Sequence, residues 1–175
     1  MEDYLIEFEN YENLTVGKFI EVIKNRKGKL LDDLKVKDLT YFNGDLINPG
    51  HGIYVFKENN SIILVGKART VSFTERIAQH LDIRPNAWFN RLMYVKSREN
   101  LGEKFKTTLD KTEAYKEASL YAFKNYSLLL INMKNELQID LFESVLRGTA
   151  NPLNKFKNRT YSKDILLKDI QYKKI

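Results

Sequence analysis

The chain has 175 residues, a hydrophobic content of 43% and a net charge of +6, which is enough chain to bury one substantial core. It contains no cysteine and two histidines, His51 and His80, so disulfides, thiolate catalysis and Cys- or His-rich metal sites are excluded, and any metal must be a hard ion on oxygen ligands. No apolar run approaches the roughly 20 residues that cross a bilayer, and the acidic first ten residues are unlike a signal peptide, so we expect a cytoplasmic protein with no membrane partner.

The charge is distributed unevenly along the chain. Residues 1–50 carry 7 basic and 10 acidic side chains, whereas residues 51–175 carry 22 and 13. A positive field of this size favours a polyanion such as nucleic acid through contacts with phosphates, although a generic lysine-rich surface explains the charge equally well. A stretch dense in turn formers, residues 43–50, separates the acidic and basic parts.

The first predicted elements are a helix and a β-hairpin. An amphipathic pattern predicts a short helix between Thr15 and Gly28. Two β-rich runs, residues 52–56 and 61–66, are separated by four polar residues and predict a hairpin.

The second half of the chain alternates predicted helices and strands. Ser72 and Glu75 match a capping box, which predicts a helix over residues 73–81. The periodicity of the remaining sequence predicts four more elements: a strand over 88–95, a helix over 110–126, a strand over 127–133, and a helix over 138–147 that ends at Gly148. Together these elements predict an α+β fold.

Candidate functional residues begin in the hairpin. Its first strand contains Gly52-Ile53-Tyr54, and its second ends in Leu64-Val65-Gly66. Arg76 and His80 follow on the next helix, four residues apart and therefore neighbours on its surface. The helix thus presents a cation and an imidazole on a face next to its apolar stripe.

Two further residues complete the pattern. Glu143 lies between apolar neighbours in the last predicted helix, and Asn154 follows in Asn151-Pro152-Leu153-Asn154. In order and spacing, the whole set resembles the GIY-YIG nuclease superfamily over residues 51–155. The resemblance implies a small antiparallel β-sheet flanked by helices, with residues 1–50 as an N-terminal accessory segment and residues 156–175 as a basic C-terminal tail.

The resemblance also implies an activity, the metal-dependent hydrolysis of phosphodiester bonds in DNA by an endonuclease of restriction, phage defence or a mobile element. Tyr54 would be the base or would position the nucleophile, and Arg76 would clamp a phosphate oxygen with its planar fork. His80 would hydrogen-bond the tyrosine or the phosphate and relay a proton. Glu143 would hold a hydrated Mg²⁺ or Mn²⁺, and Asn154 would order its loop. Each residue taken alone also fits a purely structural role.

The sequence departs from the family's pattern in two places. Leu64 stands where the family has a second tyrosine, and Lys67 follows where some members keep a basic residue, which would lower the pKa of a neighbouring phenol. The interval before the metal-binding glutamate is also long, which we explain by an inserted helix over residues 113–126. If that explanation is wrong, Glu117 becomes the candidate metal ligand.

Basic and aromatic side chains around these motifs are predicted to contact DNA through phosphates or by stacking. They are Arg69, Arg84, Trp88, Arg91, Lys155, Lys157 and Arg159. A palindromic target cut on both strands would imply a symmetric homodimer.

Two other functions fit the sequence. The first is a DNA-binding module with this fold that has weakened or lost catalysis, for which Leu64 is the main support. The second is a protein-interaction domain that uses residues 1–50 as an acidic docking surface. Absence of salt-sensitive binding to nucleic acid would favour the second.

Overall fold

The computed structural model describes residues 3–42, 45–46, 51–84, 86–87, 90–156 and 160–170. Within these ranges the chain forms six α-helices and a five-stranded, mostly antiparallel sheet, so the predicted α+β class is confirmed. Three predicted DNA contacts lie outside the described residues, namely Trp88, Lys157 and Arg159. Of the predicted loop 43–50, only residues 45–46 are described; they form strand β4 (Asp45–Leu46), which pairs with β3 (Tyr41–Phe42).

The predicted hairpin is confirmed and forms the centre of the main sheet. Strand β5 (Gly52–Glu58) pairs antiparallel with β6 (Ser61–Ala68) on one side and with β7 (Tyr126–Asn132) on the other. Both faces of β5 and β7 are buried along almost their whole length, which accounts for their nearly continuous apolar sequences. This pairing fixes the register, with Tyr54 directly opposite Gly66.

Two strands of the N-terminal segment belong to the same sheet. Strand β1 (Leu5–Glu7) runs parallel to β7, and β2 (Lys29–Leu30) pairs antiparallel with it, so both cover the edge of β7 that β5 leaves open. Helix α1 (Val16–Asn25) lies within the predicted range, and the Thr15 hydroxyl caps its start by accepting a hydrogen bond from the Lys18 amide at 3.3 Å. The boundary predicted near residue 50 therefore separates two segments that share one hydrophobic core.

Two contacts attach this segment to the rest of the core. The rings of Phe8 and Phe142 meet edge to face with centroids 4.3 Å apart. The buried Lys57 ammonium on β5 donates to the carbonyl oxygens of Lys24, at 2.7 Å, and of Arg26, so a cation stabilises the C-terminal end of α1.

Residues 160–170, the described part of the C-terminal segment beyond residue 156, pack on α1. The Val16 amide donates to Ile165 O at 2.9 Å, and the Leu167 amide donates to Leu14 O at 2.9 Å. Residues 160–170 thus contact the N-terminal segment. Among the described residues, none of the helices combines the length and the apolar character that crossing a bilayer requires.

The remaining helices are α2 (Phe73–His80), α3 (Arg91–Leu101), α4 (Lys104–Thr107), α5 (Thr112–Asn125) and α6 (Glu136–Thr149). The Ser72 hydroxyl accepts from the Glu75 amide at 3.3 Å, which confirms the predicted start of α2. The strand predicted over residues 88–95 is wrong, because residues 91–95 begin α3. The apolar run was too short to distinguish the two structures. The helical alternative buries Leu92, Met93, Lys96 and Ser97 on one face. The described residues between α2 and β7 therefore form three helices, where we expected a strand and one helix.

Candidate functional site

A cleft of about 820 Å³ opens beside the β5–β6 hairpin. Residues of β5, β6, α2, α3, α6 and the segment after α6 line it. All six residues that the sequence singled out for chemistry are among them: Tyr54, Lys67, Arg76, His80, Glu143 and Asn154. The fold thus brings together side chains from distant parts of the sequence.

Tyr54 and His80 form a buried pair in this cleft. The tyrosine hydroxyl lies 2.7 Å from His80 Nε2, and the two rings meet edge to face at 5.1 Å. On its other side, His80 Nδ1 accepts a hydrogen bond from the Leu92 amide at 3.2 Å. That amide is one of the first in α3 and has no partner within its own helix, so the imidazole joins the end of α3 to the phenol.

The Leu92 contact determines where the histidine proton lies. A backbone N–H can only donate, so Nδ1 must be the unprotonated nitrogen and the proton of the neutral ring must be on Nε2. Burial, together with the positive charges of Arg76 and Arg91, lowers the pKa of His80 from 6.5 to about 3. His80 therefore donates to the Tyr54 oxygen at neutral pH and has no free basic nitrogen with which to take the phenol's proton.

The groups around Tyr54 have opposing effects on the pKa of its phenol. Burial raises the pKa of the Tyr54 phenol well above its usual range, and the negative charge of Glu143 adds to that shift. The positive charges of Arg76 and Arg147 lower the pKa but do not outweigh burial. At neutral pH the phenol is protonated. Its oxygen accepts from His80, which leaves its own proton and one lone pair for groups in the cleft.

Two glycines make room for this arrangement. A Cβ atom on Gly66 would overlap the phenol of Tyr54, which lies across the glycine from the opposite strand. Gly52 has φ of +148°, and a Cβ there would overlap the carbonyl oxygen of Ile131. Both motif glycines are thus explained by close approaches that a larger residue would prevent.

Glu143 is held in the cleft by cations. Its Oε1 accepts from Arg147, one turn further along α6, at 2.9 Å, and its Oε2 lies 3.6 Å from Lys67 Nζ. Lys67 also pairs with Asp140 at 2.7 Å, and Asp140 binds Arg69 as well. Burial would raise the pKa of Asp140, but its bonds with Lys67 and Arg69 hold that pKa below its ordinary value.

Asn154 fastens the segment after α6 to the outer edge of β6. Its side-chain oxygen accepts from the Val65 amide at 3.2 Å, and its side-chain nitrogen donates to Val65 O at 2.7 Å. Arg147 Nε donates to the backbone oxygen of Asn154 at 2.9 Å. Asn154 therefore satisfies the backbone of an edge strand next to Gly66 and links it to Arg147, a role in positioning.

A metal ion in this cleft would bind to Glu143. Its carboxylate is a hard oxygen donor at the cleft wall, and its Oε2 has only the looser of the two cationic contacts. A single carboxylate suits Mg²⁺, which usually keeps several of its waters. In the described ranges, His, Asp and Glu side chains do not cluster in threes around a potential metal position, so the residues fit a hydrated ion rather than a fully protein-ligated one.

The other predicted residues are distributed as follows. Arg91 and Lys155 line the cleft, and Arg69 lies beside it through its bond to Asp140. Arg84 is highly exposed, pairs with Asp82 and does not line the cleft. Glu117, the alternative metal ligand, is exposed on α5 and lines a different depression of the surface.

Sequence reasoning missed several residues around the cleft. Arg147 and Asp140 lie four residues after and three residues before Glu143, so the helical spacing of α6 would have indicated them. Tyr94 was missed because its segment was predicted to be a strand, and Arg98 because no element was predicted there. Leu64 is buried on the same sheet face as Tyr54 and contributes an apolar wall to the cleft.

The cleft as a whole is positively charged. Among the described residues, six cationic side chains line it, against the two carboxylates of Glu99 and Glu143, each of which is already paired with a cation.

Comparison of the chain with protein-family models, with curated proteins and with solved structures found no match.

Proposed function

We propose that this protein is a metal-dependent endonuclease that hydrolyses phosphodiester bonds in DNA. The observation that carries the proposal is the convergence of Tyr54, His80, Arg76 and Glu143 in one positively charged cleft. These residues supply a hydroxyl, a fixed hydrogen-bond donor, a guanidinium and a carboxylate. Together they meet two needs of attack on a phosphodiester, which are an oriented water and positive charge for the phosphate oxygens.

In this proposal Tyr54 acts as a positioning group. His80 holds its oxygen at 2.7 Å, the phenol proton is directed to a phosphate oxygen, and the remaining lone pair accepts a hydrogen bond from the attacking water. Because its pKa is raised, the phenol does not take the proton of the attacking water. That proton leaves to solvent through the open cleft. The water oxygen bonds to phosphorus as the bond to the leaving oxygen breaks, and the leaving oxygen is protonated by solvent.

The cations have separate tasks. Arg76 donates two parallel hydrogen bonds to non-bridging phosphate oxygens. Arg147 holds the carboxylate of Glu143 in position at 2.9 Å, and Glu143 would hold Mg²⁺ or Mn²⁺. When bound, the ion supplies positive charge to the phosphate and acidifies a coordinated water.

A second candidate is a DNA-binding module without catalysis. It is favoured by Leu64, which puts a buried aliphatic side chain where the resemblance expects a second phenol. Both candidates require the basic cleft to bind DNA, and only the first requires Glu143 for turnover.

Incubation of supercoiled plasmid and of branched oligonucleotides with the protein, in Mg²⁺ and in EDTA, separates the two. We expect nicking that needs the metal and is lost in Glu143→Gln. Salt-sensitive binding without any nicking would replace the first candidate by the second. Absence of binding would exclude both and leave the protein-interaction domain.

A further inference from the structure

We infer that the cleft-facing side of α3 is a track for an unpaired DNA strand next to the scissile phosphate, so that the substrates are forks, flaps or bubbles rather than uninterrupted duplex. The inference rests on the proposed function, since it names the substrate class of the same cleft. It depends on Arg91, Tyr94 and Arg98, none of which belongs to the motif residues described above.

The three side chains share one face of α3. They follow the i, i+3, i+7 spacing that places residues on one side of a helix, and all three line the cleft. The opposite face is buried, as Leu92, Met93 and Ser97 show. The cleft-facing side is therefore directed toward a ligand rather than toward the core.

The spacing of the two arginines suits a nucleic-acid strand. They are seven residues apart, or about 10.5 Å along a helix that rises 1.5 Å per residue. That distance spans roughly three nucleotides at about 3.4 Å of rise per nucleotide in one strand. Within the described part of the chain, neither arginine forms an ion pair, and both are exposed. Their charges are available to phosphates.

The cleft surface between the two arginines is better suited to binding a base than to binding the phosphate backbone alone. Tyr94 lies between them and is partly exposed, with the Arg91 guanidinium 5.9 Å from its ring centroid. Val95 and the 44% exposed Leu153 add apolar surface to the same cleft. Phosphates gain nothing from such a lining, whereas an aromatic ring among cations is the usual arrangement for stacking unpaired bases. A base within a duplex is already stacked on its neighbours and cannot use this surface.

Phe105 keeps the tyrosine ring in place. Its ring meets that of Tyr94 edge to face at 5.2 Å, which restricts the tyrosine side chain from behind. A ring that is ordered before the ligand arrives loses less entropy on binding. Tyr94 is thus a preorganised platform.

The test is binding, measured by fluorescence anisotropy on single-stranded, forked and fully paired oligonucleotides of equal length in EDTA, so that no cleavage occurs. We expect the full-length protein to bind the forked and single-stranded oligonucleotides at least ~10-fold more tightly than duplex. Tyr94→Leu should remove most of that preference and leave duplex binding unchanged. Arg91→Ala with Arg98→Ala should weaken binding of the unpaired strand and flatten its salt dependence by roughly 0.7 for each phosphate that the variant no longer neutralises.

The matched control is Lys106→Ala with Lys116→Ala. It removes two charges from exposed lysines that pair with glutamates and do not line the cleft. Equal binding of fork and duplex, or equal weakening in the arginine and lysine double variants, would overturn the inference. Cleavage by wild type in Mg²⁺ without a fork preference would overturn it and leave the proposed function standing. If the protein prefers forked DNA, needs Tyr94 for that preference and does not cleave, the strand-binding role of α3 would be supported and the proposed nuclease function would be contradicted.

Discussion

His80 Nε2 lies 2.7 Å from the hydroxyl oxygen of Tyr54, and the backbone amide of Leu92 determines that the histidine is the donor in this bond. The sequence predicted that His80 hydrogen-bonds Tyr54 or the phosphate and relays a proton, and of these roles the contact favours the hydrogen bond to Tyr54. A ring whose Nδ1 is occupied and whose Nε2 carries the proton can orient a phenol but cannot deprotonate it. The site is better described as a preorganised donor chain from the end of α3 to the cleft.

Removing the Tyr54 hydroxyl tests this role. Tyr54→Phe should lower the cleavage rate by at least ~10²-fold, because the attacking water loses its alignment. It should also reduce the free energy of unfolding by about 1–3 kcal/mol, since the buried Nε2–H of His80 loses its acceptor. Single-turnover cleavage and urea unfolding measure the two effects.

Tyr126→Phe is the matched control. The Tyr126 hydroxyl is buried without a hydrogen-bond partner among the described residues, so its removal should leave stability unchanged or higher and leave cleavage intact. Comparable losses of activity in the two variants would contradict the role of Tyr54.

Replacing Glu143 tests the metal site. Glu143→Gln keeps the shape of the side chain and removes its charge, so Mg²⁺-dependent cleavage should fall by at least ~10²-fold. Glu117→Gln makes the same change at an exposed site on α5 and should retain wild-type cleavage across a Mg²⁺ titration. Loss of activity in the Glu117 variant alone would mean that Glu117 on α5, and not Glu143, is the metal ligand.

The buried histidine predicts a dependence of stability on pH. In the unfolded chain His80 gains a proton as pH falls through about 6.5, whereas in the folded protein its pKa is about 3. The unfolded state therefore binds more protons between these values, and the stabilisation present above pH 6.5 is lost as pH falls, by up to about 1.4 kcal/mol per pH unit.

Urea unfolding at pH 7, 6 and 5 measures this loss. Wild type should lose stability over this range more steeply than His80→Gln, which has no group to titrate at that position. His51 is present in both proteins, so its contribution cancels. Parallel pH dependences in the two proteins would mean that His80 titrates with the same pKa in the folded and unfolded states.

Gly66→Ala tests the packing of the hairpin against the phenol. The added methyl group would overlap Tyr54, so the ring must move away from His80. We expect a loss of about 1–3 kcal/mol in stability from overpacking, together with loss of cleavage.

Gly102→Ala is the control for Gly66→Ala. Its methyl group would meet no atom within 4 Å, but its φ of +53° with ψ of −129° is a backbone conformation that L-residues rarely adopt, which costs roughly 1–3 kcal/mol. This variant should lose stability and keep its cleavage activity when folded. Full activity of Gly66→Ala would contradict the described position of Tyr54.

Deleting residues 1–50 tests whether they are an accessory. The deletion would uncover the edge of β7 and remove the carbonyl groups that bind the buried Lys57. We expect the product to lack a cooperative thermal transition by circular dichroism. Phe8→Ala, which removes the ring that packs on Phe142, should cost about 3–5 kcal/mol. Cooperative unfolding of the truncated chain would mean that residues 51–175 fold independently.

The sequence by itself determined the local elements and the motif. The hairpin, helix α1, the N-cap of α2 and the spacing of Arg76 and His80 depend on neighbouring residues, whose preferences are visible in a short window. Gly52 and Gly66 were also identifiable from the motif. The reason that both positions need glycine is that a Cβ there would overlap atoms of a neighbouring strand, which only the three-dimensional structure shows.

Tertiary structure decided the rest. The run over residues 91–95 is apolar enough for either a strand or a helix, and burial of Leu92, Met93 and Ser97 against the rest of the fold selected the helix. That choice brought the Leu92 amide to His80 and so determined its tautomer. Likewise, residues 5–7 and 29–30 pair with the edge of β7 that β5 leaves open. The unpaired N–H and C=O groups of a strand edge form hydrogen bonds with whichever segment can reach them. Local sequence carries propensity, whereas proton positions and strand partners depend on groups that meet only after the chain has folded.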